Sequence, residues 1–250
     1  MNSPIRHLLL DIEGTTCPVR FVSETLFPYA AERMASFLEA RGEDGTVREL
    51  VEQVAQAWRD DSHPAAQTLL QVALENSSAA SRVLPYLQWL IQEDRKLTPL
   101  KDLQGLLWEE GYASGELQGP LYADVAPALR RWREAGLELA VYSSGSVRAQ
   151  RLIYEHSNAG DLRGLFQHWF DTRIGAKQDS ASYRTIVNQL GAPAASVLFI
   201  SDSIPELKAA ATAGLAVLLC NRDANPTDPP ECKAFAVIRS FDGLDPGPRG

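Results

Sequence analysis

The chain is poor in the residues that build disulfide frames, zinc sites and membrane anchors. Its 250 residues include three cysteines, Cys17, Cys220 and Cys232. They lie far apart with no CxxC pair, and their odd number excludes a disulfide scaffold and points to reduced thiols in a cytosolic protein. Histidine is almost as scarce: His7, His63, His156 and His168 show no metal-ligand spacing, which leaves no zinc signature. No apolar run approaches the roughly 18 residues that a membrane span requires. The three consecutive leucines before Asp11 are too short a run for a secretory leader. Basic charge is also limited, with 24 Lys and Arg against 32 Asp and Glu, a formal net charge of −8. The two signs are interspersed, so neither a nucleic-acid footprint nor a polybasic membrane patch is present. The expectation is a cytoplasmic protein without nucleic-acid or membrane partners, in which an anionic ligand must be met by a local cation or a metal.

Hydrophobic residues make up 45% of the chain, enough for a substantial core. The stretch HLLLDIEGTTCPV, residues 7 to 19, is an apolar run that ends in two carboxylates, Asp11 and Glu13, followed by Gly14. This pattern predicts a buried strand feeding a loop. From about Ser23 to Tyr112 the apolar residues recur every three or four positions, as at Val47, Leu50, Val51, Val54 and Trp58. Gly and Pro punctuate that region into four or five helices. Short apolar runs then return at 137–144, 196–201 and 215–220, alternating with helical segments at 125–135, 147–157, 179–190 and 204–213. Such alternation predicts an α/β fold with a parallel sheet covered by helices. The expected organisation is a core of residues 1–20 and 117–250, with an all-helical insertion at 21–116. The tail beyond Asn221 reads as surface loop apart from FAVIRSF.

In an open parallel sheet, ligands bind beyond the carboxyl ends of the strands. That rule selects Asp11 and Glu13, Ser143 and Ser144, Lys177 in the loop RIGAKQDS, and Asp202 after VLFIS. Acids gathered alone would repel one another and require a divalent cation; lysine and hydroxyls beside them suit a phosphate.

This order of residues resembles the haloacid dehalogenase superfamily. The segments LLLDIEGTTCPVRFVSETLFPYA, QGLLWEEGYASGELQGPLYADV, VYSSGSVRAQRLI, FDTRIGAKQDSASYRTI and FISDSIPELKAAATAGL look like its enolase-phosphatase branch, which serves methionine salvage, and they cover most of the chain. The resemblance implies a Rossmann-like core with an inserted helical cap that closes over the site, one Mg²⁺ per chain, a small phosphate ester as substrate and a monomer. Residue by residue, it implies that Asp11 is the nucleophile and that Glu13 is the general acid/base, where most of the superfamily has Asp. Asp202 completes a metal site with Asp11 and Glu13, Ser143 and Ser144 bind phosphoryl oxygens, and Lys177 neutralises their charge and contributes to catalysis. The implied reaction enolises a diketo phosphate and then hydrolyses the enol ester. Glu13 is the expected base for the enolisation, because its extra methylene gives it reach.

Several residues have plainer readings. SIPE, from Ser203 to Glu206, has the spacing of a helix capping box, a sufficient structural reason for the glutamate and the favoured one; the alternative, which the resemblance implies, is a second acid near the metal. Ser146 reads as a helix N-cap. The stripe at Phe27, Met34 and Phe37 reads as cap core, and Cys17 as buried filler, for no histidine neighbours it in sequence. Arg20 departs from the branch pattern near the entry to the helical region. Four functional alternatives share parts of the pattern. A hydrolytic dehalogenase would need neither Mg²⁺ nor the second carboxylate. Another small-metabolite phosphatase would keep every core residue. A phosphonate-cleaving enzyme would need Lys96 or Lys101 beside the phosphate. A non-catalytic binding module would keep the fold alone.

Overall fold

Leu8, Leu9 and Leu10 have no exposed surface, which explains why the first strand is an unbroken apolar run and not an alternating one. The computed structural model describes residues 4–73, 79–222 and 234–247; Cys232 therefore lies outside the described residues. The first strand, β1 (His7–Leu10), is paired on both sides in parallel. On one side is β2 (Glu138–Tyr142), with Leu10 opposite Val141, and on the other β4 (Val197–Ser201), with Leu10 opposite Ile200. Two short strands, β3 (His168–Phe170) and β6 (Val237–Ile238), occupy the edges, and β5 (Ala216–Cys220) lies inside β6. The order among the described residues is β3-β2-β1-β4-β5-β6, all parallel. All the carboxyl ends consequently open on one edge.

The chain divides into two units, Met1–Phe21 with Gln118–Gly250, and Val22–Leu117. In the sheet unit the connecting helices are α7 (Val125–Glu134), α8 (Val147–Glu155), α9 (Ser180–Leu190) and α10 (Ile204–Thr212). Two of them start on a side-chain cap. Ser146 caps α8 by accepting the Ala149 N–H at 3.2 Å, as the sequence predicts. Asp179 caps α9 through the Ala181 N–H, and α9 ends on Gly191, whose φ of 63° suits glycine. Tyr142, Tyr183 and Phe199 pack together in the core on one face of the sheet.

In the tail, FAVIRSF, which the sequence sets apart from surface loop, carries the ordered structure: β6 extends the sheet there, and Phe241 is fully buried against Trp132. The Trp132 Nε1–H donates to the Leu244 carbonyl at 3.0 Å, and an Arg131 guanidinium N–H donates to the Phe241 carbonyl at 3.0 Å.

The second unit is helical. After α1 (Val19–Phe21) and a π-helical turn over Val22–Leu26 come α2 (Phe27–Arg41), α3 (Gly45–Asp60), α4 (Pro64–Ala73), α5 (Ala79–Gln92) and α6 (Thr98–Ala113). Asp44 caps α3 by accepting the Thr46 and Val47 N–H groups. The spaced residues Val47, Leu50, Val51, Val54 and Trp58 are its buried face. Trp58 stacks on Tyr86 at 4.9 Å between ring centroids and donates to the Ala66 carbonyl. Met34 and Phe37 are buried within this unit. Among the described residues, no helix is long and apolar enough to cross a membrane.

Candidate active site

The ladder between β1 and β4 runs one residue past the strand, with the Asp11 N–H donating to the Ile200 carbonyl at 3.0 Å. That bond fixes the backbone from which the Asp11 carboxylate projects. The side chain is 4% exposed, and both its oxygens are engaged. Oδ1 accepts the Ile12 N–H at 2.8 Å and the Lys177 ammonium at 2.6 Å; Oδ2 accepts the Ser201 hydroxyl at 2.9 Å. A buried carboxylate is tolerable only with such partners.

The loop that follows is folded tightly on itself. The N–H groups of Thr15, Thr16 and Cys17 converge on the Ile12 carbonyl, and the Gly14 N–H donates to the Cys17 carbonyl. Gly14 has φ +67°, and a Cβ placed there would lie 2.1 Å from Asp202 Oδ2. The Asp202 carboxylate thus rests on the glycine backbone of the loop that follows Asp11. Glu13 is half-buried in the same loop, where its backbone bridges to Cys17. Cys17 is fully buried, and burial, then the charge of Glu13, pushes its thiol up to about 12. It is filler and not a nucleophile.

Lys177 reaches Asp11 from the loop between β3 and α9. Tyr183 donates to the Lys177 carbonyl at 2.7 Å, Ser182 to the Ala176 carbonyl at 2.8 Å, and Tyr142 to the Gly175 carbonyl at 3.0 Å. The ammonium also pairs with Glu206 Oε2 at 2.8 Å. Burial works against the charge on Lys177, but Asp11 and Glu206 outweigh it and raise its pKa to about 12. Lys177 is therefore cationic at any physiological pH.

Glu206 is a correction to the sequence reading. The Ser203 side chain makes no cap bond at the start of α10, and the Ser203 N–H goes instead to Ser201 Oγ at 3.1 Å. The glutamate turns toward Lys177 and Ser201, whose hydroxyl lies 3.2 Å from Oε2. Burial and the nearby Asp11 charge raise its pKa, against the pull of Lys177. The capping-box spacing favoured the cap over a place in the site, although the first turn of a helix beyond a strand end also faces the site. Ser201 was missed altogether. As the last letter of VLFIS it reads as strand, yet a hydroxyl ending an apolar strand at the ligand edge was a usable signal.

Ser143, at the end of β2, is buried, and its hydroxyl accepts the Gly145 N–H at 3.2 Å; Ser144 beside it is half-buried. Gln150 supports this turn from below, donating to the Gly145 and Phe170 carbonyls at 2.8 Å each.

Among the described residues, no three His, Cys, Asp or Glu side chains converge in a way that could hold a metal ion. Asp11 and Asp202 nevertheless suit Mg²⁺, which binds through one or two carboxylates and keeps waters and phosphate oxygens for its other positions. Protein packed around Asp202, and then the charge of Asp11, raise its pKa. An added cation would relieve that repulsion.

Comparison with known proteins agrees with this geometry. Residues 5–214 match the family model described as haloacid dehalogenase-like hydrolase. The chain is 48% identical over 247 residues to Enolase-phosphatase E1 of Synechococcus sp. (strain RCC307), covering 98% of this chain and 97% of that one. It is 50% identical over 240 residues to Enolase-phosphatase E1 of Synechococcus elongatus, covering 96% and 98%. Among solved structures it is similar to the UTR4 protein (Unknown transcript 4 protein) of Saccharomyces cerevisiae, with a TM-score of 0.70, 33% identity and coverage of 96% and 100%. With matches of that extent, the chain belongs to the haloacid dehalogenase-like hydrolases and, within them, to the enolase-phosphatase E1 proteins.

Proposed function

We propose that this chain is the enolase-phosphatase of L-methionine salvage. It converts 2,3-diketo-5-methylthiopentyl 1-phosphate to the acireductone 1,2-dihydroxy-3-keto-5-methylthiopentene and phosphate. One observation carries the reading: a buried carboxylate, Asp11, lies 2.6 Å from an ammonium that stays charged. Phosphoryl transfer to a carboxylate needs that pairing.

In this mechanism an Asp11 oxygen attacks phosphorus and forms an acyl phosphate, and the ester oxygen departs with a proton from Glu13. Glu13, now a carboxylate, takes a proton from water. The hydroxide attacks the same phosphorus, releases phosphate and returns Asp11. Lys177 balances the charge on the transferring group, and Ser143 and Ser144 hold its oxygens. Glu206 keeps Lys177 in place as its attention moves from Asp11 to phosphate. Before this, Glu13 removes the proton from the carbon bearing the phosphate ester; that electron pair forms the carbon–carbon double bond, the adjacent carbonyl oxygen takes up a proton from solvent, and Glu13 is left protonated for the phosphoryl step. One Mg²⁺ per chain, held by Asp11 and Asp202 with Glu13 beside them, would supply charge neutralisation and carbonyl polarisation when bound. On this reading the protein acts as a cytoplasmic monomer on a small phosphate ester.

The test is incubation with the diketo phosphate and Mg²⁺ while ene-diol absorbance and free phosphate are followed together. Absorbance that rises with phosphate supports the reading. Phosphate without any ene-diol removes the enolase half, and no phosphate at all removes the whole. Glu13→Asp tests the base: solvent-deuterium incorporation at an unchanged rate would remove Glu13 from the first half.

A further inference from the structure

Arg222 is the second residue after β5 and stands outside the constellation described above, yet its side chain is only 6% exposed. Every face of its guanidinium is occupied. Nε and Nη2 both donate to the Thr15 carbonyl, at 3.0 and 2.8 Å. Nη1 donates to Asp124 Oδ2 at 2.6 Å. The plane lies between two aromatic rings, with the central carbon 4.4 Å from the Tyr122 centroid and 4.6 Å from that of Phe241. Asp124 is fixed in turn by the Phe241 N–H and the Ser240 hydroxyl.

Thr15 belongs to the nucleophile loop, two residues after Glu13 and four after Asp11, and is fully buried. Within that loop the N–H groups are turned inward on Ile12 and Cys17, which leaves the Thr15 carbonyl directed outward. Arg222 supplies two donors to it. The next carbonyl, that of Thr16, accepts the N–H of Tyr122 at 3.1 Å, and Tyr122 is the ring stacked on Arg222. Consecutive carbonyls of the catalytic loop are thus gripped by two residues that also grip each other. A planar, forked cation pre-organised by two rings and a carboxylate makes a stiff support, because little side-chain freedom is left to lose.

We infer that Arg222 is a positioning residue of this enzyme: through the Thr15 carbonyl it sets the placement of Glu13 and Asp11, with Asp124 and Phe241 as its anchors. The inference rests on the reading that Asp11 and Glu13 carry the chemistry. Removing the fork leaves the buried Thr15 carbonyl with only the weak Cys220 thiol contact at 4.0 Å, and the loop relieves this by shifting the carboxylates it carries.

The experiment compares wild type with Arg222→Met and Arg222→Lys, using p-nitrophenyl phosphate with Mg²⁺ and then the diketo phosphate. Rates are expressed per folded molecule from circular dichroism. The expected result for Arg222→Met is a kcat about 10- to 100-fold lower with KM changed much less, the size expected from a misplaced catalytic group. Lysine offers a point charge without the fork and should recover part of that loss. If the methionine variant does not fold, Arg222→Lys alone decides: a kcat below wild type in folded protein supports the role. Wild-type kcat per folded molecule in either folded variant overturns it, as does a rate that merely follows the folded fraction. Failure of wild type to release phosphate from either substrate would instead overturn the proposed function.

Discussion

Lys177 Nζ lies 2.6 Å from Asp11 Oδ1, although the two residues are 166 positions apart in the sequence. Asp11 ends β1, and Lys177 sits on a loop beyond the edge strand β3. Their pairing, with Glu206, holds the amine cationic in a place where either charge would be costly alone.

Lys177→Met should lower kcat about 100- to 1000-fold, the range seen when one donor to a developing anion is removed. The buried Asp11 and Glu206 would then face each other without a cation, so a carboxyl pKa in the site rises. Phosphate release measured across pH in the variant checks both effects.

Glu206→Gln keeps the size and hydrogen-bonding capacity of the side chain but removes the second anion from Lys177. The expected loss in kcat is about tenfold, in line with one charge-assisted hydrogen bond, with folding retained. Steady-state kinetics beside a thermal melt measure it. A capping role alone would lower the melting temperature and spare kcat.

Gly14→Ala should damage both stability and rate. A Cβ would fall 2.1 Å from Asp202 Oδ2, and φ is +67°, a region that costs an alanine about 1–2 kcal/mol by itself. A melting temperature several degrees lower, together with weaker dependence of the rate on added Mg²⁺, is the expected outcome.

Asp124 predicts how the fold responds to acid. Burial raises its pKa, but the Phe241 N–H and the Arg222 guanidinium outweigh that and leave it below the usual carboxylate value. The group therefore contributes stability at pH above about 3.9, its unfolded value, and that contribution fades as pH falls through the lower folded value. Asp124→Asn should lower the urea midpoint at pH 7 and bring it nearer to wild type at pH 3. Denaturation curves at the two pH values test this.

Much of the sheet was legible because buried parallel strands are apolar on both faces: β1, β2, β4 and β5 each appear as short runs such as LAVLLC. The edge strand β3 was not, since HWF is three residues long and partly exposed, too short for any period to show. The same physics governs the site. Asp11, Glu13 and Asp202 stand out as charges at the ends of apolar strands, and Lys177 stands out in a loop at the right edge. Ser201 and Glu206 were obscured by local grammar that suits them equally well as strand end and helix start. Arg222 was invisible for another reason. Its partners, Thr15, Asp124 and Phe241, are brought to it only by the closed fold, and nothing in their spacing announces a shared carbonyl.

The position of β1 has a consequence for how the chain assembles. It is the earliest strand in the sequence and also sits between β2 and β4, so during synthesis it has no neighbour on one side until residue 138 and none on the other until residue 197. Such long-range pairings make for slow folding, and for most of translation three adjacent leucines must be kept from other partners. Until β4 has been made, β1 lacks a neighbour on that side, and the backbone bond that fixes Asp11, from its N–H to the Ile200 carbonyl, has no acceptor.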